Sequence, residues 1–181
     1  LVTFDSSGVI TNTQVENGGN LYEFGNQVVV PGNLFVGGSS TLNDVTYDIT
    51  GTFTNSYASI IGGCGNTAFG DYSTVSGGYR NTSSGNYSNV SGGYRNTSSG
   101  YGSTVGGGGS SSGCDGNLAL GDYSVIGGGS ANTSSGCRST VSGGYCNTSS
   151  CYSSTVGGGY NNTSSGYYST VGGGGFNTLS C

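Results

Sequence analysis

From Tyr57 to Cys181 one aliphatic side chain returns at a fixed interval. The positions are Ile60, Val75, Val90, Val105, Ile126, Val141, Val156 and Val171, spaced by 15 residues except for a single interval of 21. The polar positions keep the same phase. Seven residues after each anchor stands Thr, from Thr67 to Thr178, replaced once by Leu118. Asn precedes each of these positions, from Asn66 to Asn177. Aromatic residues fill two further columns. Tyr57, Tyr72, Tyr87, Tyr123 and Tyr168 stand three before the anchor, and Tyr79, Tyr94, Tyr145 and Tyr160 stand four after it.

A repeat of this length, one apolar rung per unit, predicts a solenoid in which each coil rests on its neighbours. Short stretches such as Ser73-Thr74-Val75 alternate with period 2 and read as strands. Gly-Gly pairs and the phrase Asn-Thr-Ser-Ser-Gly read as turns. The fold class is therefore all-β: a parallel β-solenoid with one 15-residue coil per repeat. Ser83, Ser84 and their equivalents leave a thin interior. The units holding Ala68-Phe69 and Ala119-Leu120 read as fatter, where the stack starts and restarts. The long interval is an insertion near residues 109–114.

Upstream the pattern changes. QVVVPGNLFVGGSSTLNDVTYDITGTFT alternates β-branched stretches with Gly turns and Pro31. Residues 1–56 are read as a strand-rich connector or stalk, and residues 57–181 as an eight-unit head.

Composition removes the competing helix. Gly supplies 40 residues of 181, and each costs about 1 kcal/mol in a helix relative to Ala. It also bounds the core: burying one Val returns about 1.5–3 kcal/mol, while ordering each residue costs about 1–2 kcal/mol. One such unit cannot fold alone.

Charge and residue type exclude several functions. The net charge of −5 arises before Gly51, and the only bases are Arg80, Arg95 and Arg138. Nucleic-acid binding needs a basic footprint that is absent. No apolar run approaches the roughly 20 residues of a membrane span. With no His or Lys, the many Ser residues lack a familiar base, so an enzyme is not expected. Asp71 and Asp122 read as turn residues rather than an acid–base pair. The turns lack the repeated Asp of calcium-binding arrays, so neither metal nor cofactor is expected.

Six Cys occupy differing columns; Cys137 and Cys151 lie in adjacent columns of neighbouring coils and form the one pair worth testing as a disulfide. N-x-Ser/Thr occurs at Asn81, Asn86, Asn89, Asn96, Asn132, Asn147, Asn161 and Asn162. Turn chemistry copied by the repeat accounts for it better than glycan attachment. Tyr57, Tyr72, Tyr87, Tyr79, Tyr94, Tyr145 and Tyr160 are the candidate contact surface, alongside the plainer reading of ladders that cover the coil. An ice-binding face needs a flat double column of Thr, whereas Gly and Tyr are expected to flank a single one.

YSTVSGGYRNTSSGNYS, YYSTVGGGGFNT and especially Asn117-Leu118-Ala119-Leu120-Gly121 resemble the YadA-like head repeats of trimeric autotransporter adhesins. The likeness covers about Tyr57 to Cys181. Similar arrays occur in phage and large-virus tail or surface fibres, and GNLFVGGSSTLNDVT looks like their connectors. The resemblance implies a left-handed parallel β-roll, three chains side by side, and attachment at a virion or cell surface to a host glycan or protein. The period is one residue longer than is usual in adhesin heads, and Tyr and Ser replace many aliphatic positions. Bacterial adhesin and viral fibre both remain open, with a monomeric ice- or glycan-binding solenoid as the alternative. The chain starts at Leu1 without a signal peptide, as a processed product or fragment would. It ends in phase at Cys181 with no polar cap, so the natural chain is expected to continue.

Overall fold

Each fifteen-residue unit closes one coil because its two β-branched stretches are separated by turns that only a short list of residues can make. The computed structural model describes residues 57–111 and 116–180, together with the backbone of five upstream strands. Pro31, Cys114 and Cys181 lie outside the described residues. The chain divides into two compact units, Leu1–Phe35 and Val36–Cys181. The first contains an antiparallel pair, Val2–Phe4 with Ile10–Thr13. The second opens with the antiparallel pair Ser39–Leu42 and Val45–Asp48 and continues into the solenoid. Among the described residues there is no helix.

Two parallel sheets build the solenoid. An eight-stranded sheet carries the anchors, running from Ser59–Ile60 through Thr74–Val75 to Thr170–Val171. A nine-stranded sheet carries the Thr-Ser dipeptides, such as Thr82–Ser83 and Thr133–Ser134. Its first strand, Thr50–Phe53, pairs in parallel with Cys64–Ala68, so the sheet begins upstream of the eight units. A third line of contact consists of single bridges, Cys64 to Tyr79 to Tyr94 and Ser130 to Tyr145 to Tyr160 to Gly175. Every pairing joins residues one coil apart, and the register survives the insertion: Val105 pairs with Ile126, and Ser98 with Ala119. The Gly109 N–H donates to Gly129 O as Tyr94 N–H does to Gly108 O. Asn117 N–H donates to Asn96 Oδ1 as Asn96 N–H does to Asn81 Oδ1. The register therefore puts the extra positions between Gly109 and Gly116, one position downstream of the expected span.

The anchors form the apolar spine. Val75, Val90, Val105, Ile126, Val141 and Val156 are fully buried, with Ala68 and Ala119 beside them. The rest of the interior is polar and hydrogen-bonded. The Asn column, expected in turns, is buried from Asn66 to Asn162. Asn81 Oδ1 accepts the backbone N–H of Asn96 at 2.9 Å. Its Nδ2 donates to Gly77 O in its own coil and to Gly93 O in the next, both at 2.9 Å. The same bonds recur at Asn96, Asn132, Asn147 and Asn162. Asn117 makes them across the insertion, reaching Gly107 O at 2.9 Å. One side chain thus satisfies carbonyls in two successive turns, where an unpaired buried group costs about 1–3 kcal/mol.

This arrangement dictates the second glycine of each Gly-Gly pair. Gly78 adopts φ +85°, and a Cβ there would stand 2.6 Å from Asn81 Nδ2 and closer still to Gly93 O. Any side chain would displace the Asn amide and the next coil together.

Serine residues fill the remaining interior. Ser83 Oγ meets Ser88 Oγ at 2.6 Å, and the pair recurs as Ser98–Ser103, Ser134–Ser139, Ser149–Ser154 and Ser164–Ser169. Ser84 faces outward, so only the first Ser of the dipeptide lines the interior. The two units read as fatter are not so inside. Ala68 and Ala119 occupy the Ser83 position, while Phe69 and Leu120, one residue on, are exposed. Strand alternation turns the larger side chain out. The partner hydroxyls suffer: buried Ser73 Oγ and Ser124 Oγ have no hydrogen-bond partner.

Urea unfolding of point variants checks this interior. Ala119→Ser restores the missing partner of Ser124 and is expected to stabilise by about 0.5–1.5 kcal/mol. Asn132→Ala orphans the Asn147 N–H and is expected to destabilise by at least about 1–3 kcal/mol.

Candidate contact surface

The turn between the two sheets forces the first Tyr column into an unusual backbone. Tyr57, Tyr72, Tyr87, Tyr123 and Tyr168 have φ between 54° and 60°, and Gly102 fills the same slot at φ 63°. This left-handed conformation costs a residue with a Cβ about 1–2 kcal/mol, so Gly or Asn would hold it more easily. The tyrosines are nevertheless exposed, Tyr57 at 77% and Tyr168 at 72%.

Stacking offsets part of that strain. Tyr57, Tyr72 and Tyr87 stack at 4.9 and 5.0 Å with near-parallel planes. At Gly102 the column is bridged by Tyr101, whose ring lies 5.3 Å from Tyr87 and 5.5 Å from Tyr123. Tyr152 meets Tyr168 edge-on at 5.6 Å, and the Arg138 guanidinium lies over Tyr152 at 5.6 Å. Tyr101, Tyr152 and Tyr167 were not among the expected contact residues. They stand one position before the Tyr column, and the sequence carried a partial signal: Tyr101 and Tyr152 stand beside the gaps at Gly102 and Ser153, while Cys137 stands beside Arg138 and Tyr167 beside Tyr168 itself.

The second set of tyrosines forms two separate pairs. Tyr79 stacks on Tyr94 at 5.3 Å, and Tyr145 on Tyr160 at 5.8 Å. Gly109 and Ser130 separate the pairs where the insertion emerges. Arg80 and Arg95 lie over Tyr79 and Tyr94, at 5.1 and 5.4 Å. The Tyr57, Tyr72 and Tyr87 rings are spaced close to the coil repeat of about 4.7–4.9 Å and the two pairs somewhat wider, so facing rings cover one another. The exposed chemistry of these stacks is ring edge and phenol hydroxyl.

The broad face of the nine-stranded sheet is lined mostly by hydroxyls. On the nine-stranded sheet Thr82 and Ser84 both face outward across buried Ser83, and the pattern repeats in most coils. The expectation that Gly and Tyr flank a single Thr column fails here: Ser at the second position along the strand makes a double hydroxyl column.

Other candidate residues are dispersed. Asn81, Asn96, Asn132, Asn147 and Asn162 are buried and committed to the internal ladder, whereas Asn86 and Asn161 are exposed. Asp122 Oδ1 accepts the Tyr101 N–H at 2.9 Å, and Asn86 Oδ1 accepts the Asp71 N–H at 3.1 Å. Cys64, Cys137, Cys146 and Cys151 are free thiols. The Cys137–Cys151 pair, singled out for testing, is unbonded in this structure; Cys151 sits in the tight column otherwise held by Gly85, Gly100 and Gly136, and Cys137 in the outer turn column beside it. Among the described residues no three His, Cys, Asp or Glu side chains cluster as metal ligands, and no helix is long and apolar enough to cross a membrane. No protein-family model matches the chain, and no curated protein matches it.

Replacing Tyr72 separates its structural from its displayed role. Tyr72→Gly relieves the strained φ and loses the stack, so its stability is expected within about 1 kcal/mol of the parent. Tyr72→Val keeps the strain and loses the stack, and is expected to cost at least about 0.5–1.5 kcal/mol. Thermal unfolding of both variants measures this. A large loss in Tyr72→Gly would make the column a structural necessity.

Proposed function

We propose that this chain is a structural, non-catalytic segment of an extracellular fibre or head, projecting from a virion or cell surface to contact a host or neighbouring surface. Three copies run side by side as left-handed solenoids, in the manner of the adhesin heads and viral fibres that the repeats resemble. The observation that carries this reading is the division of labour within the coil. The inward positions are fixed by bonds to adjacent coils, and the outward columns present aromatic edges and hydroxyls over eight coils, roughly 38 Å at the strand spacing. Such a body holds a surface at a distance. It needs neither metal nor cofactor, and its partners are its own copies and a surface glycan or protein.

A second reading is favoured by one observation. The paired outward Thr and Ser columns form a regular hydroxyl array on one face, the feature of this coil nearest to the double Thr column of a monomeric ice-binding solenoid and a surface open to a glycan.

Sedimentation equilibrium tests the first reading: the mass of three chains is expected, and a folded monomer in dilute solution would contradict it. Thermal hysteresis tests the second. The fibre reading expects none, and a freezing-point gap that vanishes in Thr133→Lys would establish the ice face instead.

A further inference from the structure

Four columns face outward along the two sheets, on either side of the buried Val or Ile and on either side of the buried Ser or Ala. In most coils these positions hold Thr, Ser, Asn or Gly. Apolar side chains occur at five of them: Ile61, Phe69, Leu118, Leu120 and Val125, all exposed, between 38% and 51%. They are not scattered. Ile61 and Phe69 belong to the first coil, one on each sheet. Leu118 and Leu120 follow the insertion on the nine-stranded sheet, and Val125 comes next along the chain on the eight-stranded sheet, within one turn of them. The same two coils carry Ala68 and Ala119 inside, where the Ser–Ser bond is given up.

We infer that these two coils are the levels at which a second copy of this chain packs against the first, its nine-stranded sheet against the eight-stranded sheet of its neighbour. The inference rests on the side-by-side trimer proposed above and assigns its contacts. When parallel copies are related by rotation about the rod axis, equivalent coils lie at one height. A ring of three is closed by a heterologous contact, which joins two different patches of each chain. Both sheets must then turn apolar within one turn of each other, as they do at both levels. Self-pairing of one sheet would require apolar residues on that sheet alone. Phe69 of one copy meets Ile61 of the next, and Leu118 with Leu120 meets Val125. The intervening hydroxyl coils make a wet contact between these two belts.

The repeat supplies the test variant, because each apolar residue has a polar counterpart in the flanking coils. Leu118→Thr, Leu120→Ser and Val125→Thr copy Thr133, Ser135 and Thr140, and Ile61→Ser with Phe69→Ser copies Ser76 and Ser84. The full-length chain carrying all five is compared with the parent by sedimentation equilibrium and by circular dichroism. The parent is expected at three chains. The variant is expected to keep its β-sheet signal and dissociate at a concentration at least tenfold higher. If the variant loses that signal, Leu120→Ser and Val125→Thr alone are read, each expected to weaken association. Tyr72→Gly, on the turn edge, is expected to leave the mass unchanged. A trimeric parent whose folded variants associate unchanged overturns this inference and leaves the trimer standing. A parent that is not trimeric overturns the trimer and this inference with it.

Discussion

The buried Asn of each coil holds two turns in place at once, and the rest of the array is arranged around that demand. Its Nδ2 spans the Gly carbonyl four residues behind and the Gly carbonyl of the next coil, while its Oδ1 takes the N–H of the next Asn. Two of these three bonds cross to the next coil, so no coil satisfies its interior alone. Apolar burial alone is too small to order fifteen Gly- and Ser-rich residues. The buried Val supplies a spine, and the polar ladder sets the register. Gly78 and its equivalents follow directly, because the amide occupies the volume that a Cβ would need. Even the insertion obeys: Asn117 Nδ2 still donates to Gly107 O across it.

Fixing the inside frees the outside. Outward columns carry no register information, so they tolerate Thr, Ser, Asn, Gly and aromatics. The tyrosines at positive φ occupy a position where Gly102 serves the backbone as well, which separates their presence from the needs of the turn. Outward variation is also concentrated: the coils that turn apolar outside are the ones that lose a hydroxyl inside. Ser73 and Ser124 are left unpartnered there, a local cost that the ladder above and below tolerates.

Much of the architecture was legible because the period is strict. The anchors from Ile60 to Val171 gave the coil length and the parallel stacking, but Asn-Thr-Ser-Ser-Gly read as turn, whereas its Thr-Ser dipeptides form the second sheet. The interior was less legible for a physical reason. Asn-Thr-Ser is turn chemistry in most chains, and nothing in the phrase distinguishes an Asn that caps its own turn from one that reaches the turn of the next coil. Ser83 and Ser84 are identical residues, so only the strand phase, set by neighbouring coils, decides which is inside. Phe69 and Leu120 read as core because they are large, yet Ala68 and Ala119 hold the inward phase. The tyrosines were legible as columns but not as a continuous edge, since Tyr101 fills a gap from an adjacent position.

Hydrogen exchange of side-chain amides addresses the ladder itself. The Nδ2 protons of Asn81, Asn96, Asn132, Asn147 and Asn162 are expected to exchange far more slowly than those of Asn86 and Asn161, which are exposed on the same rod. Protection should rise from the ends of the array toward its middle, because each coil opens only after a neighbour. Exchange of the buried column at the rate of Asn86 and Asn161 would contradict the account.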